Sequence, residues 1–179
     1  MRSIQNPFRV RAAVAADSAA LWPIFEAVVD AGESYPFAPG VSRETCAGYW
    51  FDPRSSCFVA EDAGGRILGM YKLVPNQVEL GAHVANASYM VDPQARGAGV
   101  GTLLGRHSLE QARREGYLAM QFNYVISSNR AAVALWSKLG FAIVGTLPKA
   151  FRHARLGYVD AYVMYQLLDE PANWPGVAQ

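Results

Sequence analysis

Asn86-Ala-Ser-Tyr-Met-Val-Asp-Pro-Gln-Ala-Arg-Gly-Ala-Gly-Val-Gly-Thr-Leu-Leu-Gly105 is the stretch from which the rest of the chain can be ordered. Its first part ends in the apolar pair Met90-Val91, and Asp92-Pro93 closes a strand there, because proline offers no ladder donor and restricts the residue before it. From Arg96 the run Arg-Gly-Ala-Gly-Val-Gly leads into Val100, Leu103 and Leu104, which have the spacing of one helix face. A glycine-rich turn therefore opens a helix. With glycine at 97, 99 and 101, successive backbone N–H groups can turn toward one anion, and the helix dipole adds positive charge at the same point. The pattern predicts a pyrophosphate cradle spanning Arg96, Gly97, Ala98, Gly99, Val100, Gly101 and Thr102, with a glycine-rich turn that merely starts a helix as the plainer reading.

Which nucleotide such a cradle holds follows from the motif variant. A Walker loop ends in Gly-Lys-Ser/Thr, whereas no lysine precedes Thr102 here, which disfavours Mg-nucleotide chemistry. A dinucleotide fingerprint needs Gly-x-Gly-x-x-Gly after the first strand of a βαβ unit; these glycines are spaced by two, and no such strand opens the chain. What remains is Arg-x-x-Gly-x-Gly, filled by Arg96, Gly99 and Gly101. It resembles the acetyl-CoA signature of the GCN5-related N-acetyltransferases.

Working outward, 179 residues suffice for one domain with a full core and are too few to expect two. We expect a single domain over 1–170 and a tail over 171–179. Sixteen Lys and Arg against 15 Asp and Glu leave a net charge of +1. No basic run supplies the phosphate neutralisation that nucleic acid or an acidic membrane surface requires, so a small molecule is the expected partner. Cys46 and Cys57 are too few and too far apart for a zinc site or a disulfide framework. No apolar run approaches the ~18 residues of a membrane span, and the N-terminus lacks the succession of a signal peptide, so a soluble cytoplasmic protein is expected. A homodimer is compatible with the sequence.

Phe8 to Arg11 alternates like a short first strand. Asp17 is placed to cap a helix carrying Ala20, Leu21, Ile24, Phe25 and Val28. The segment 31–40, with two glycines, two prolines, Tyr35 and Phe37, reads as a loop whose aromatics either wall a substrate pocket or pack on the core. Ser42 is placed to cap a short helix that Pro53 ends. Strands are expected at Ser56 to Glu61 and Arg66 to Val74, joined at Ala63-Gly64-Gly65, and again at His83 to Val91. The cradle helix should reach about Glu115. Leu118 to Val125 follows as a strand with Leu118, Met120, Phe122 and Tyr124 on a greasy face and Ala119, Gln121 and Asn123 on a polar one. Because a helix connects these last two strands, they should be parallel. Ala132, Leu135, Trp136 and Leu139 form a helix face ended by Gly140. Phe141 to Leu147 and Tyr158 to Leu168 are expected as strands flanking a basic loop from Pro148 to Gly157, either a solvated connection or a contact to a cofactor phosphate.

This order resembles the GCN5-related N-acetyltransferase layout: an α/β fold built on a mixed central sheet of about six to seven strands, with helices on both faces. Asn129 to Phe141, ending Lys-Leu-Gly-Phe, is similar to the family's later helix. The resemblance implies acetyl-CoA as cofactor. It also implies that Met90 and Val91 pair with the pantetheine arm through their backbone, that Arg96 to Thr102 hold the pyrophosphate, and that Asn129, Ala132 and Trp136 contact the cofactor. One departure matters: many members carry at position 136 a tyrosine assigned to protonate the departing thiolate, and an indole N–H cannot serve as that acid.

A closer likeness, to family members in yeast that act on the proline analogue azetidine-2-carboxylate, rests on Asn86-Ala-Ser-Tyr89 with Asn123 and Asn129. It implies Asn86, Tyr89 and Asn123 as substrate-binding residues, with Asn86 and Asn123 serving catalysis. An amide accepts from an ammonium and donates to a carboxylate, which suits a small amino-acid-like amine; alternatively the two asparagines cross-link strands. The expected reaction is direct attack of a neutral amine on the thioester, positioned by the enzyme with a backbone donor for the developing oxyanion. Glu79 and His83 are candidate bases acting through water. A non-catalytic acyl-CoA sensor, or transfer to a polyamine or protein amine, is the alternative. In a regular strand Asn86 and Tyr89 point to opposite faces, so a shared pocket requires a bulge between Ala87 and Tyr89, and an irregular ladder is expected between Asn86 and Val91; an unbroken one rules out the amino-acid pocket built on these residues and leaves the acetyl-CoA assignment standing.

Overall fold

The computed structural model describes residues 7–170 and 173–175. Of the expected tail, 171, 172 and 176–179 lie outside the described residues, while Trp174 packs its ring edge on His83, 5.6 Å between centroids. The strands are β1 (Phe8–Ala12), β2 (Ser56–Asp62), β3 (Ile67–Pro75), β4 (Val84–Val91), β5 (Ala119–Ile126), β6 (Ala142–His153) and β7 (Gly157–Leu167). The helices are α1 (Ser18–Asp30), α2 (Arg43–Trp50), α3 (Val100–Arg114) and α4 (Arg130–Lys138). All seven strands form one mixed sheet in the order β1-β2-β3-β4-β5-β7-β6. The β4–β5 pair is parallel, as the intervening helix requires, and the others are antiparallel.

Side-chain alternation along the central strands sorts the core into two layers. Met70 of β3 and Met90 of β4 join Leu21, Phe25, Val28 and Trp50 beneath α1 and α2. Their neighbours Tyr71, Leu73, Ala85 and Ala87 face the other way, toward Val100, Leu104 and Trp136 of α3 and α4.

Three local expectations are corrected. Asp17 does not cap α1; its carboxylate accepts from the Val14 N–H and is paired with the Arg11 guanidinium, which holds its pKa below the usual range. A turn of 3-10 helix precedes α1 instead, and Ala20 stays exposed. The basic stretch after Leu147 is no loop: most of it belongs to β6, which bulges between Leu147 and Phe151 where Lys149 takes a left-handed φ of 54°. Its tip is tied to the 31–40 loop, because Ala154 donates to the Gly32 carbonyl and Arg155 pairs with Glu33.

The third correction sets the geometry of the site. The β3–β4 ladder runs unbroken from Gly69 opposite Val91 to Pro75 opposite Ala85, so β4 has no bulge. The irregularity is in β5. Between Phe122 and Val125 that strand holds one more residue than β7 opposite it. Phe122 and Val125 consequently share the α3-side core, and Tyr124 and Ile126 pack elsewhere, so the greasy face expected at Leu118, Met120, Phe122 and Tyr124 switches at the bulge. Strands β4 and β5 pair only at Val84–Ala119 and Ala85–Met120, then splay.

Candidate active site

The splay opens a cavity of about 840 Å3 between β4 and β5, running from the N-terminus of α3 to the 31–40 loop. Which backbone groups line it follows from the β4 ladder. Asp92 donates to the Leu68 carbonyl at one end and Asn76 to the Val84 carbonyl at the other. Since bonded pairs alternate, Asn86, Ser88 and Met90 commit their backbone groups to β3, whereas Ala87, Tyr89 and Val91 direct theirs into the gap. Of the expected pair, Val91 therefore presents backbone groups to an arm lying in the gap and Met90 does not; Met90 is a buried side chain beneath α1. Tyr89, expected only at the substrate, contributes its backbone here.

At the other end of the gap, Gly97 and Gly99 take left-handed φ values of 81° and 89°, which turn the chain into α3 and which side chains rarely adopt. Gly99 is the N-cap, with no side chain to satisfy the helix. Among the described residues no protein acceptor takes the amides of Gly97, Gly99, Val100, Gly101 or Thr102. Five open donors at a helix N-terminus fit a pyrophosphate. Arg96 also lines the cavity, as do Ala132 and Asn129. Asn129 caps α4, its Oδ1 accepting from the Ala132 N–H at 3.2 Å. Trp136 is almost fully buried, its ring 4.6 Å from that of Tyr89 and 4.8 Å from that of Phe122, so it forms the floor under the gap.

The acceptor end differs from the expectation. Asn86 and Asn123 both line the cavity, but Tyr89 points its ring the opposite way and bonds its hydroxyl to Ser108 of α3 at 2.7 Å. The three-residue pocket is not formed, because the ladder that would have to bulge is regular. Asn86 Nδ2 donates to the Gln121 carbonyl across the splay, leaving its Oδ1 free of a cross-strand role. Asn123 accepts from Gln121 Nε2 and donates to Asn76 Oδ1, each at 2.7 Å. Asn86 thus also cross-links β4 and β5, whereas the exposed Asn123 ties β5 to Asn76, the residue that follows β3. Neither Glu79 nor His83 reaches the cavity wall, and among the described lining residues there is no carboxylate and no histidine.

In place of a charged base the structure brings together hydroxyls and rings. Tyr35 of the 31–40 loop donates to the Tyr89 carbonyl at 2.7 Å, and Tyr49 of α2 donates to Ser88 Oγ at 2.7 Å. Burial raises both phenols above their ordinary pKa. Behind Tyr49 lies Lys72, its ammonium 3.4 Å from the ring centroid and bonded to the Tyr49 carbonyl, with burial lowering its pKa to about 8. Ser88 was legible as the residue two after Asn86 on the same face. Tyr49 and Lys72 carry no sequence signal, since each reaches the site from a separate element. Cys46 and Cys57 stay away from the cavity wall, and burial raises their thiols to about 11 and about 12, which leaves them poor nucleophiles.

The profile of the acetyltransferase (GNAT) family matches residues 20–141. The chain is 27% identical over 151 residues to the N-acetyltransferase aca1 of Schizosaccharomyces pombe, covering 75% of this chain and 72% of that protein. A GCN5-related N-acetyltransferase from Kribbella flavida is 43% identical and superimposes with a TM-score of 0.87 over 90% of this chain and 98% of its own. The yncA protein of Salmonella typhimurium, solved with its cofactor acetyl-CoA, shares the fold with a TM-score of 0.81 at 24% identity, over 95% of this chain and 99% of its own. With the strand, the open amide cradle and the splayed gap in one continuous cavity, the chain belongs to the GNAT family of acetyltransferases, which take their acyl group from acetyl-CoA.

Proposed function

We propose that the protein transfers the acetyl group of acetyl-CoA to the amine of a small amino-acid-like substrate. The observation that carries this reading is the chemistry of the acceptor end: neutral amides from Asn86 and Asn123, hydroxyls from Tyr35, Tyr49 and Ser88, and no carboxylate among the described lining residues. A polyamine is held by fixed negative charge, which this wall does not offer. The Lys72 ammonium behind Tyr49 adds positive potential, which favours a substrate bearing its own carboxylate and disfavours a protonated amine. The tie between the β6–β7 tip and the 31–40 loop holds in place the loop that brings Tyr35 to that end.

On this reading the amides of Gly97, Gly99, Val100, Gly101 and Thr102 hold the pyrophosphate, Arg96 adds charge, and Tyr89 and Val91 bind the arm through their backbone. The bound thioester supplies an activated acetyl carbon. The Ala87 N–H, the gap-facing donor farthest from the cradle, is placed to stabilise charge on the acetyl oxygen. Asn86 Oδ1 accepts from the amine. Among the described lining residues there is no carboxylate or imidazole to act as base, so the amine enters neutral and its proton leaves through water. Thiol release from acetyl-CoA, measured with a panel of amino acids, polyamines and peptide N-termini, tests the acceptor. Amino acids should give kcat/KM at least about tenfold above polyamines, a difference of about 1.4 kcal/mol. A reversed order would overturn the amino-acid reading and leave the acetyltransferase standing.

A further inference from the structure

The position that carries a tyrosine acid in many relatives is Trp136 here, and its ring is built into the core between Tyr89 and Phe122. A departing thiolate still gains from a donor. Among the described hydroxyls of the cavity wall, Ser34 has no hydrogen-bond partner within the protein, whereas the others each have a definable place. Tyr124 donates to the Ala150 carbonyl on β6, and Tyr49 donates to Ser88. Thr102 belongs to the cradle, at the wrong end. The Tyr89 hydroxyl lies on the far side of the sheet against Ser108. Tyr35 alone among these is bonded to a backbone group that faces the β4–β5 gap, the Tyr89 carbonyl.

That carbonyl is also the acceptor an arm lying along β4 would use. A carbonyl bonded by the arm's last amide N–H has the sulfur close by, since two methylenes separate that nitrogen from sulfur in the cysteamine unit. When the arm takes the Tyr89 carbonyl, rotation about the phenol C–O bond frees the Tyr35 hydrogen for another acceptor. The loop holding the phenol is fixed at its base by the Ala154–Gly32 hydrogen bond and the Arg155–Glu33 pair, and the ring is set by Phe37 and Tyr49, at 6.4 and 6.5 Å between centroids. Ser88, which accepts from Tyr49, also neighbours the Tyr35 hydroxyl, so a second hydroxyl stands ready to return a proton.

We propose that Tyr35 is the donor to the departing CoA sulfur, taking from a different element the role that Trp136 cannot fill. As the amine nitrogen bonds to the acetyl carbon and the C–S bond breaks, Tyr35 gives its hydroxyl proton to sulfur and regains one through Ser88 or water. The proton displaced from the amine replaces it, so that amine and thioester become amide and thiol with no net change in protons. Among the described residues the titratable group facing Tyr35 is the phenol of Tyr49, and the Tyr89 phenol acts on it only from across the sheet. Burial holds Tyr35 itself well above its ordinary range, which keeps it a neutral donor throughout the working pH.

The test uses free CoA bound to the whole protein, with its thiol titrated by the ultraviolet absorbance of the thiolate. A hydrogen bond to a charged group should lower the bound thiol pKa, and Tyr35→Phe should raise it by about one to two units. Affinity for desulfo-CoA, which lacks the sulfur, should stay unchanged, and kcat should fall about ten- to hundredfold. Because the leaving group is common to every acceptor, the result does not depend on which amine is used. A bound thiol that titrates identically in wild type and Tyr35→Phe overturns the proposal. If Tyr35→Phe disturbs the loop or fails to fold, a difluorotyrosine at position 35 decides: its more acidic phenol should lower the bound thiol pKa further, and no change refutes the assignment.

Discussion

Gly69 of β3 lies where α3 approaches the sheet, and replacing it with alanine tests whether that approach sets the cradle. A Cβ there would meet the Met90 carbonyl at 2.9 Å, Leu104 at 3.1 Å and Val100 at 3.2 Å. The first contact is backbone of the neighbouring strand and cannot yield without moving β4, while the other two belong to the first turns of α3. Overpacking of this kind costs about 1–3 kcal/mol, and the loss of chain entropy in the unfolded alanine variant returns about 0.4–1 kcal/mol. A net loss of about 1.5 kcal/mol corresponds to a fall in Tm of about 3–6 °C for a chain of this size. Lifting Val100 off the sheet moves the open amides with it, so acetyl-CoA affinity measured by calorimetry should weaken by about tenfold. Gly48→Ala is the matched control. That glycine is exposed inside α2 with nothing within 4 Å of its Cβ position, so helix propensity should raise stability by about 0.8–1 kcal/mol. A Gly69→Ala protein that melts with the wild type and binds acetyl-CoA equally well would refute the close-approach argument.

Gly99→Glu should abolish acetyl-CoA binding in a folded protein, since it sets a side chain and a negative charge beside the open amides and strains a φ of 89°; unchanged affinity by calorimetry would remove the cradle. Trp136→Phe should keep turnover within about tenfold, ~1.4 kcal/mol of barrier, because the ring packs and does not transfer a proton; a loss of several orders of magnitude would reassign it. Burial depresses Lys72 to about 8, so the unfolded chain holds that proton more tightly, and this residue's penalty is full below about pH 8 and fades as pH rises toward its ordinary value. The Tm of Lys72→Met relative to wild type should therefore be higher at about pH 7 than at about pH 9.5; equal differences at the two pH values would mean that the folded lysine titrates normally.

Much of this protein is written in local pattern. Proline after Asp92, glycine at 97 and 99, and the apolar spacing through Val100 and Leu104 each act within a few residues, so the strand, the turn and the helix follow from the chain alone. The parallel pairing of β4 with β5 follows as well, because a helix must connect them. The opposite facing of Asn86 and Tyr89 was implicit in the strand period. What alternation cannot say is which strand absorbs an extra residue. The bulge fell in β5, where β7 is one residue short opposite Phe122 to Val125, and not in β4, whose ladder with β3 is regular. That choice depends on the partners of both strands and is made only when the sheet assembles. The same holds for the acceptor end: Tyr35, Tyr49, Lys72 and Ser88 come from a loop, a helix and two strands, and no spacing within the sequence relates them. Local conformational preference determined the elements and the cradle, whereas long-range packing decided the gap, the hydroxyls around it, and which side chains meet there.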